Sequence, residues 1–330
     1  DVVLRAAGRV VDDDAGAGTT TASPSAAPPP PPGWLRAPTS TPRYDRVDAV
    51  TPSGANVAVL VPRTGAAEPR AALLHLHGFR APGSALVVED VDEPLPSVWV
   101  HMLARGVVVA TTTYRRTGRI IGDAIDDVHE LRDIVVAVAA EKLGTTIENV
   151  FLEGRSMGGA IAVRVIEAAP HRYAGAVCIG AALLTVDDAG AAATPALTHQ
   201  PQRPLLFLTN VSELSYVEQY IDRVKRQHGG GGGGGDGNED IVIPALWQVW
   251  REGHNMVTAD ERLAAVNSLL AWHTHGTFIT SRVLNVCLPP RHGDAAAVVV
   301  RSDAVMDVVV VSVHPVFASV MLGVSARQLR

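Results

Sequence analysis

The chain has 330 residues, 47% of them hydrophobic, enough to bury one large core or two modest ones, so most of it must pack as a globule. Its 28 basic and 34 acidic residues give a formal charge of -6 with no long run of either sign, which leaves nucleic acid and anionic lipid without an electrostatic footing. A small- to medium-sized neutral or mixed substrate is the expected partner. The two cysteines, Cys178 and Cys287, are far apart in apolar settings, which excludes a disulfide framework and a CxxC metal or redox motif and leaves buried free thiols.

Residues 1–44 read as a low-complexity N-terminal segment and linker; positions 12–33, DDDAGAGTTTASPSAAPPPPPG, cannot bury apolar surface and favour extended, solvated chain. The sequence opens at Asp1 with neither a methionine nor a charged-then-apolar leader, a start from which no compartment can be read. From residue 45 to 275 strands and helices alternate. NVAVLV at 56–61, AALLHL at 71–76 and VVVATT at 107–112 are short, strongly apolar strands. IDDVHELRDIVVAVAAEK at 125–142 carries Ile125, Val128, Leu131, Val135 and Val138 at helical spacing, and the strand at 150–152 follows it. Residues 160–169 read as helix, 175–180 and 204–209 as strands, 217–227 as helix, 245–250 as strand, and a last helix starts near 258–260. Such alternation with fully apolar strands predicts an α/β fold with a mostly parallel sheet covered by helices on both faces. Seven glycines at 229–235, continuing to residue 240, predict a disordered surface loop; with no Lys-Ser/Thr after them they are no phosphate cradle. Residues 276–330 hold VVVR, VMDVVVVSV and SVMLGV without helical period, which predicts a small β-rich appendage or, alternatively, edge strands of the main sheet. No apolar run reaches the roughly 18 residues of a membrane span.

The chemistry centres on Gly154-Arg155-Ser156-Met157-Gly158, set between a strand and a small-residue helix. This is the arrangement that pushes a serine onto a tight turn at the carboxyl edge of a sheet, with a helix N-terminus beneath developing negative charge. A serine hydroxyl is a poor nucleophile until a base takes its proton. Among 12 histidines, His254 lies in WREGHNMVTADERL, a loop between a strand and a helix at the sheet edge. His75 alternates into a strand as a packed core residue. His101 and His129 fall in helices, and His171, His199, His228, His273, His275, His292 and His314 lie in loops, helix ends or the tail. For the acid, Glu213 follows the strand at 204–209, giving the order serine, acid, histidine. Glu218, Asp222, Asp236 and Asp240 rank below it, and a purely structural, exposed Glu213 is the alternative. Oxyanion donors are expected from the backbone N–H of Met157 and, in HLHGFRAPGS, that of Phe79; a plain tight turn is the other reading there. Arg155 and His77 stand where a substrate could touch them, and a solvated arginine is the simpler reading of Arg155. No metal and no cofactor is called for.

Assembled, HLHGF, GVVVATTTYRRTGRIIGDAIDDVHELRDIV, EGRSMGG and REGHN resemble the α/β-hydrolase superfamily over residues 45–275, and most of all its prolyl-oligopeptidase-like esterase and peptidase branch. The resemblance implies that Tyr114 stands near the oxyanion site. Two residues depart from the branch: its triad Asp is Glu213 here, and Asn210 opens a loop that usually starts with Gly or His. About 45 residues precede the domain, so no propeller of the true oligopeptidases is expected within this sequence. The short stretch between Ser156 and Glu213 has no room for a large cap, so the site is expected to be open or covered by residues 80–98 with Trp99 at their edge. The function expected is cleavage of a carboxylic ester through an acyl-enzyme on Ser156, with a peptidase, an acyltransferase or a non-catalytic binding protein of the same fold as alternatives.

Overall fold

Ten strands line up in one mixed sheet in the computed structural model of the chain, which describes residues 4–5, 44–63, 70–88, 91, 94–184, 196–229, 241–275 and 281–284. They are β1 (Leu4–Arg5), β2 (Tyr44–Val50), β3 (Asn56–Pro62), β4 (Ala71–Leu76), β5 (Val108–Thr112), β6 (Asn149–Arg155), β7 (Gly175–Ile179), β8 (Leu205–Asn210), β9 (Ala245–Val249) and β10 (Arg282–Leu284), in the order β1-β2-β3-β5-β4-β6-β7-β8-β9-β10. The pairs β1–β2, β2–β3 and β3–β5 are antiparallel, and every pair from β5–β4 to β9–β10 is parallel. The parallel strands are apolar because helices cover both their faces. One core joins the sheet to α2 (Ile121–Leu143), α3 (Met157–Ala168) and α4 (Leu214–Gly229); the other joins it to α1 (Ser97–Ala104) and α5 (Ala259–His275).

Local sequence explains the helices. In α2 the buried residues Ile121, Ala124, Ile125, Val128, Leu131, Ile134, Val135, Val138 and Ala139 repeat every three or four positions, so one stripe meets the sheet. In α3 every residue from Met157 to Ile166 is buried, and its small side chains let the helix lie close against β6 and β7. The chain order doubles back at β5 and β4, so α1 leaves β4 on one face while α3 leaves β6 on the other. That reversal is a topological switch point at the carboxyl ends of β4 and β6, the place where open α/β sheets bind ligands.

Three elements were not legible in the sequence: β1, which pairs antiparallel with β2 inside the segment read as low-complexity, β2 itself and α1. Strand β2, YDRVDAV, buries only Val47 and Ala49 and shows charged residues between them, the half-wet pattern of an antiparallel strand near a sheet edge. Helix α1 carries Trp99, expected at the rim of a cover over the site. Trp99 is instead fully buried under the sheet, its ring edge-on to His75 at 5.5 Å, and only the preceding residues 81–87 are largely exposed. At the far edge, β10 pairs in parallel with β9, so these three residues extend the main sheet. The remainder of the expected β-rich appendage, the glycine loop at 230–240, most of the N-terminal segment and Cys287 lie outside the described residues. Cys178 is a buried free thiol, and burial pushes its pKa up, away from reactivity. Among the described residues no helix is long and apolar enough to cross a membrane.

Candidate active site

Ser156 joins β6 to α3 at φ 55° and ψ −116°, a conformation that side chains rarely adopt, and its backbone is held there from both sides. Its N–H donates to the Ile179 carbonyl at 2.8 Å, and its own carbonyl accepts from the N–H groups of Ala160 at 3.1 Å and Ala182 at 3.2 Å. The flanking glycines are needed for space. A Cβ on Gly154 would lie 2.2 Å from the Gly158 carbonyl oxygen, and one on Gly158 would lie 2.1 Å from that of Leu76. The turn is therefore pressed against the end of β4 with no room for a methyl group, and the serine hydroxyl is carried outward.

His254 arrives from the loop between β9 and α5. Its Nε2 lies 2.7 Å from Ser156 Oγ, and its Nδ1 is hydrogen-bonded to Glu213 Oε1. A carboxylate only accepts, so the hydrogen bond to Glu213 has Nδ1–H as its donor, and Nε2 faces the serine hydroxyl. Glu213 ends a tight turn, Val211–Glu213, directly after β8. Its side chain is largely buried, whereas that of His254 is 54% exposed.

The loops that carry Glu213 and His254 are stitched together by residues whose roles there the sequence did not show. Asn210 is fully buried: its Nδ2 donates to the carbonyls of Arg251 at 3.3 Å and Met256 at 3.1 Å, and its Oδ1 accepts from the Met256 N–H at 2.8 Å. The Val211 N–H donates to the Arg251 carbonyl at 3.2 Å, and Ser212 Oγ donates to that of Gly253 at 2.7 Å. An asparagine at the end of a buried strand, with an amide that must be satisfied on both sides, was the available signal for this role. Its departure from the usual Gly or His at that position has a structural use.

Beneath the serine turn lies a second unforeseen group. Glu153 on β6 is fully buried and receives a two-pronged contact from Arg262 of α5, with Nη2–Oε2 at 2.8 Å, while His75 Nδ1 sits 3.2 Å from its Oε2. Burial pushes the Glu153 carboxyl up, but the Arg262 guanidinium outweighs it and, with His75, holds it far below the usual carboxylate range. His75 is thus the core residue its alternation predicts, with a polar partner.

The turn after β4 abuts Ser156. A Cβ on Gly78 would lie 3.3 Å from Ser156 Cβ, 3.4 Å from the Arg155 carbonyl oxygen and 4.0 Å from Ser156 Oγ. The Met157 N–H, at the first turn of α3, has no intrahelical acceptor, and Phe79, which follows Gly78, is half-exposed. His77 and Tyr114 are both buried. The His77 ring lies between the carbonyls of Gly78 at 2.6 Å and Thr113 at 3.2 Å, and Tyr114 Oη donates to the His77 carbonyl at 3.2 Å. Burial pushes the Tyr114 hydroxyl up, so it stays a donor. Tyr114 is itself held at φ 55° by Asp127 of α2, which accepts from the Arg115 N–H at 2.8 Å and from Arg115 Nε at 2.7 Å. Arg115 thus ties the turn at Tyr114 to α2. Arg155 is partly buried next to the serine.

Gly78→Ala is a measured probe of this turn. The extra methyl fits only if the turn shifts by a few tenths of an ångström, so kcat for an ester is expected to fall about three- to tenfold with the thermal midpoint nearly unchanged. An unchanged kcat would separate the turn from the chemistry.

A family model described as serine aminopeptidase, S33, matches residues 115–226, a span that includes Ser156 and Glu213 and ends before His254. Among curated proteins none matches the sequence. Solved structures with similar coordinates include the esterase Pf2001 of Pyrococcus furiosus, at 14% identity and a TM-score of 0.49 over 69% of this chain and 92% of that one. An acylaminoacyl peptidase of Pyrococcus horikoshii matches at 10% identity and 0.46, over 69% of this chain and 40% of that one. XC6422 of Xanthomonas campestris, described as a serine hydrolase without a lid, matches at 15% and 0.42, over 72% and 94%. The strand order, the reversal at β4 and β5, and the serine turn between β6 and α3 are those of the α/β-hydrolase fold, the superfamily that the motifs resembled.

Proposed function

We propose that this α/β-hydrolase-fold chain is a serine hydrolase that cleaves a carboxylic ester through an acyl-enzyme on Ser156. The observation that carries the reading is the hydrogen-bonded line from Ser156 Oγ through His254 to Glu213, with the serine on a strained turn. His254 Nε2 takes the hydroxyl proton as Oγ attacks the ester carbonyl carbon, and the imidazolium that forms is stabilised by Glu213. The N–H groups of Met157 and Phe79 hold the oxyanion of the tetrahedral intermediate. The imidazolium then gives its proton to the departing alkoxide, leaving the acyl group on Ser156. Water, deprotonated by the same nitrogen, attacks that acyl group; the intermediate collapses to free acid and serine. Every proton in the cycle is carried by Ser156, His254 or water, so the cycle calls for no cofactor.

A peptidase is the second reading, favoured by the serine aminopeptidase description of the matching family model. It uses the same steps with an amine as leaving group, and the prolyl-oligopeptidase-like branch of the sequence resemblance accommodates both. The exposed imidazole and the short connection from Ser156 to Glu213 favour an open site and a moderately sized ester over a long-chain lipid, and Arg155 stands beside the serine to meet a polar part of it. A fluorophosphonate probe is expected to label the native chain at Ser156, and a nitrophenyl ester to turn over faster than an aminoacyl anilide. Absence of labelling would overturn the hydrolase reading; a faster anilide would replace esterase by peptidase.

A further inference from the structure

Two buried acceptors face one another behind the line of three side chains. Glu213 Oε1 meets the imidazole, but Glu213 Oε2 is buried and receives no hydrogen bond among the described residues, and the same holds for Asn255 Oδ1. Both crowd one point. A side chain begun at Gly180 would meet Asn255 Oδ1 at 2.2 Å and Glu213 Oε2 at 2.9 Å, so the two oxygens confront one another across a gap no wider than those distances combined. Opposed lone pairs out of water repel, and each forfeits a hydrogen bond. An amide, however, carries a donor beside its acceptor on a soft terminal torsion, and half a turn about the Asn255 Cβ–Cγ bond exchanges Oδ1 for Nδ2.

Resting on the serine-hydrolase reading, we infer that Asn255 is a positioning residue for the acid: its Nδ2–H donates to Glu213 Oε2 and so presents Oε1 to His254 Nδ1. The surroundings fit this use. Asn255 sits at φ 56°, a left-handed conformation that asparagine tolerates better than most residues, and this carries its side chain back toward the acid. Gly180, at φ 50°, leaves the volume that the amide fills. The motif REGHN thus supplies the base and, in the next residue, a donor for the acid that orients the base.

Asn255→Asp keeps the shape and removes the donor, and Asn255→Gly removes the amide while keeping the left-handed backbone without strain. Both are expected to lower kcat for a nitrophenyl ester about 10- to 100-fold with KM within about twofold, the span that loss of a hydrogen bond to a charged group covers. Glu213→Gln places an amide opposite, so adding Asn255→Asp in that background restores a donor–acceptor pair and is expected to cost less than about twofold more. Native kcat in both single variants, or the same cost in both backgrounds, overturns the inference. A readout independent of turnover is the Asn255 side-chain amide proton, expected downfield in the NMR spectrum and moved by Glu213→Gln; an undisplaced resonance overturns the inference while fluorophosphonate labelling of Ser156 still holds. A native chain that fails to label removes the hydrolase reading instead, and the amide resonance then tests the contact alone.

Discussion

Ser156→Ala is expected to reduce kcat for an activated ester by about 10⁴- to 10⁶-fold, and His254→Ala by a similar amount, because nucleophile and base form one unit. The geometry gives the reason for the similarity. With Nε2 2.7 Å from Oγ, the histidine's part is to receive the proton that serine loses as it attacks, so either side chain without the other is inert. The double variant is therefore expected to be no slower than the worse single one. Glu213→Gln should cost less, about 10²- to 10⁴-fold, since the amide still accepts from Nδ1 but no longer opposes the imidazolium charge. Michaelis kinetics on the three variants decides. Ser156→Ala within tenfold of the native rate would show that the hydrolysis observed arises elsewhere, and a Glu213→Gln variant at the native rate would free Glu213 from the triad.

The legibility of this site in the sequence follows from how each residue is used. Ser156, Glu213 and His254 each close a strand–loop–helix unit, so local pattern and chain order carried all three, and the structure brings them into contact. Strands β3 to β9 were legible for the same reason: each is a dense apolar run that only a sheet covered on both faces could bury. What escaped were residues whose meaning lies across the sheet. Nothing near Glu153 announces Arg262, 109 positions away, and nothing near Asn210 announces the carbonyls of Arg251 and Met256. His77 and Tyr114 show the converse. The resemblance placed Tyr114 near the turn after β4, but only packing decides that its hydroxyl donates to the His77 carbonyl. Trp99 failed for a related reason: an aromatic at the end of a polar, proline-bearing stretch can edge a cover or anchor a helix, and the apolar face of α1 chose the second.

Arg262→Met is expected to destabilise the fold by about 3–5 kcal/mol, the cost of leaving a buried carboxylate without its partner, and a large share of the roughly 5–15 kcal/mol a domain has. Exposed pairs such as Arg70–Glu148 are expected to matter far less, since water already serves both ions. The pH dependence separates the buried pair from plain loss of packing. In the native chain the folded-state pKa of Glu153 lies below its unfolded value near 4.5, so its contribution is complete above that value and is lost as pH falls toward the folded one. In Arg262→Met burial becomes the larger influence and pushes the carboxyl up, so folding is favoured by protonation and the variant gains stability on the native chain as pH drops. The difference in urea midpoint between the two chains should therefore be wide at pH 7 and narrower at pH 4, where protonation relieves the variant while the native chain still keeps most of its Glu153 contribution. Parallel curves would refute the ionic account. Pairing Arg262→Met with Glu153→Leu removes both charges and should recover most of the loss at pH 7, because the desolvated ion is gone. The site connects to this through the chain itself: α5 begins a few residues after His254, so the Arg262–Glu153 contact anchors the helix that follows His254 to the strand that leads into Ser156. Arg262→Met is accordingly expected to lower kcat along with stability, and the Glu153→Leu partner to restore the fold more fully than the rate, since an apolar contact fixes the helix without the two-pronged geometry that sets its register.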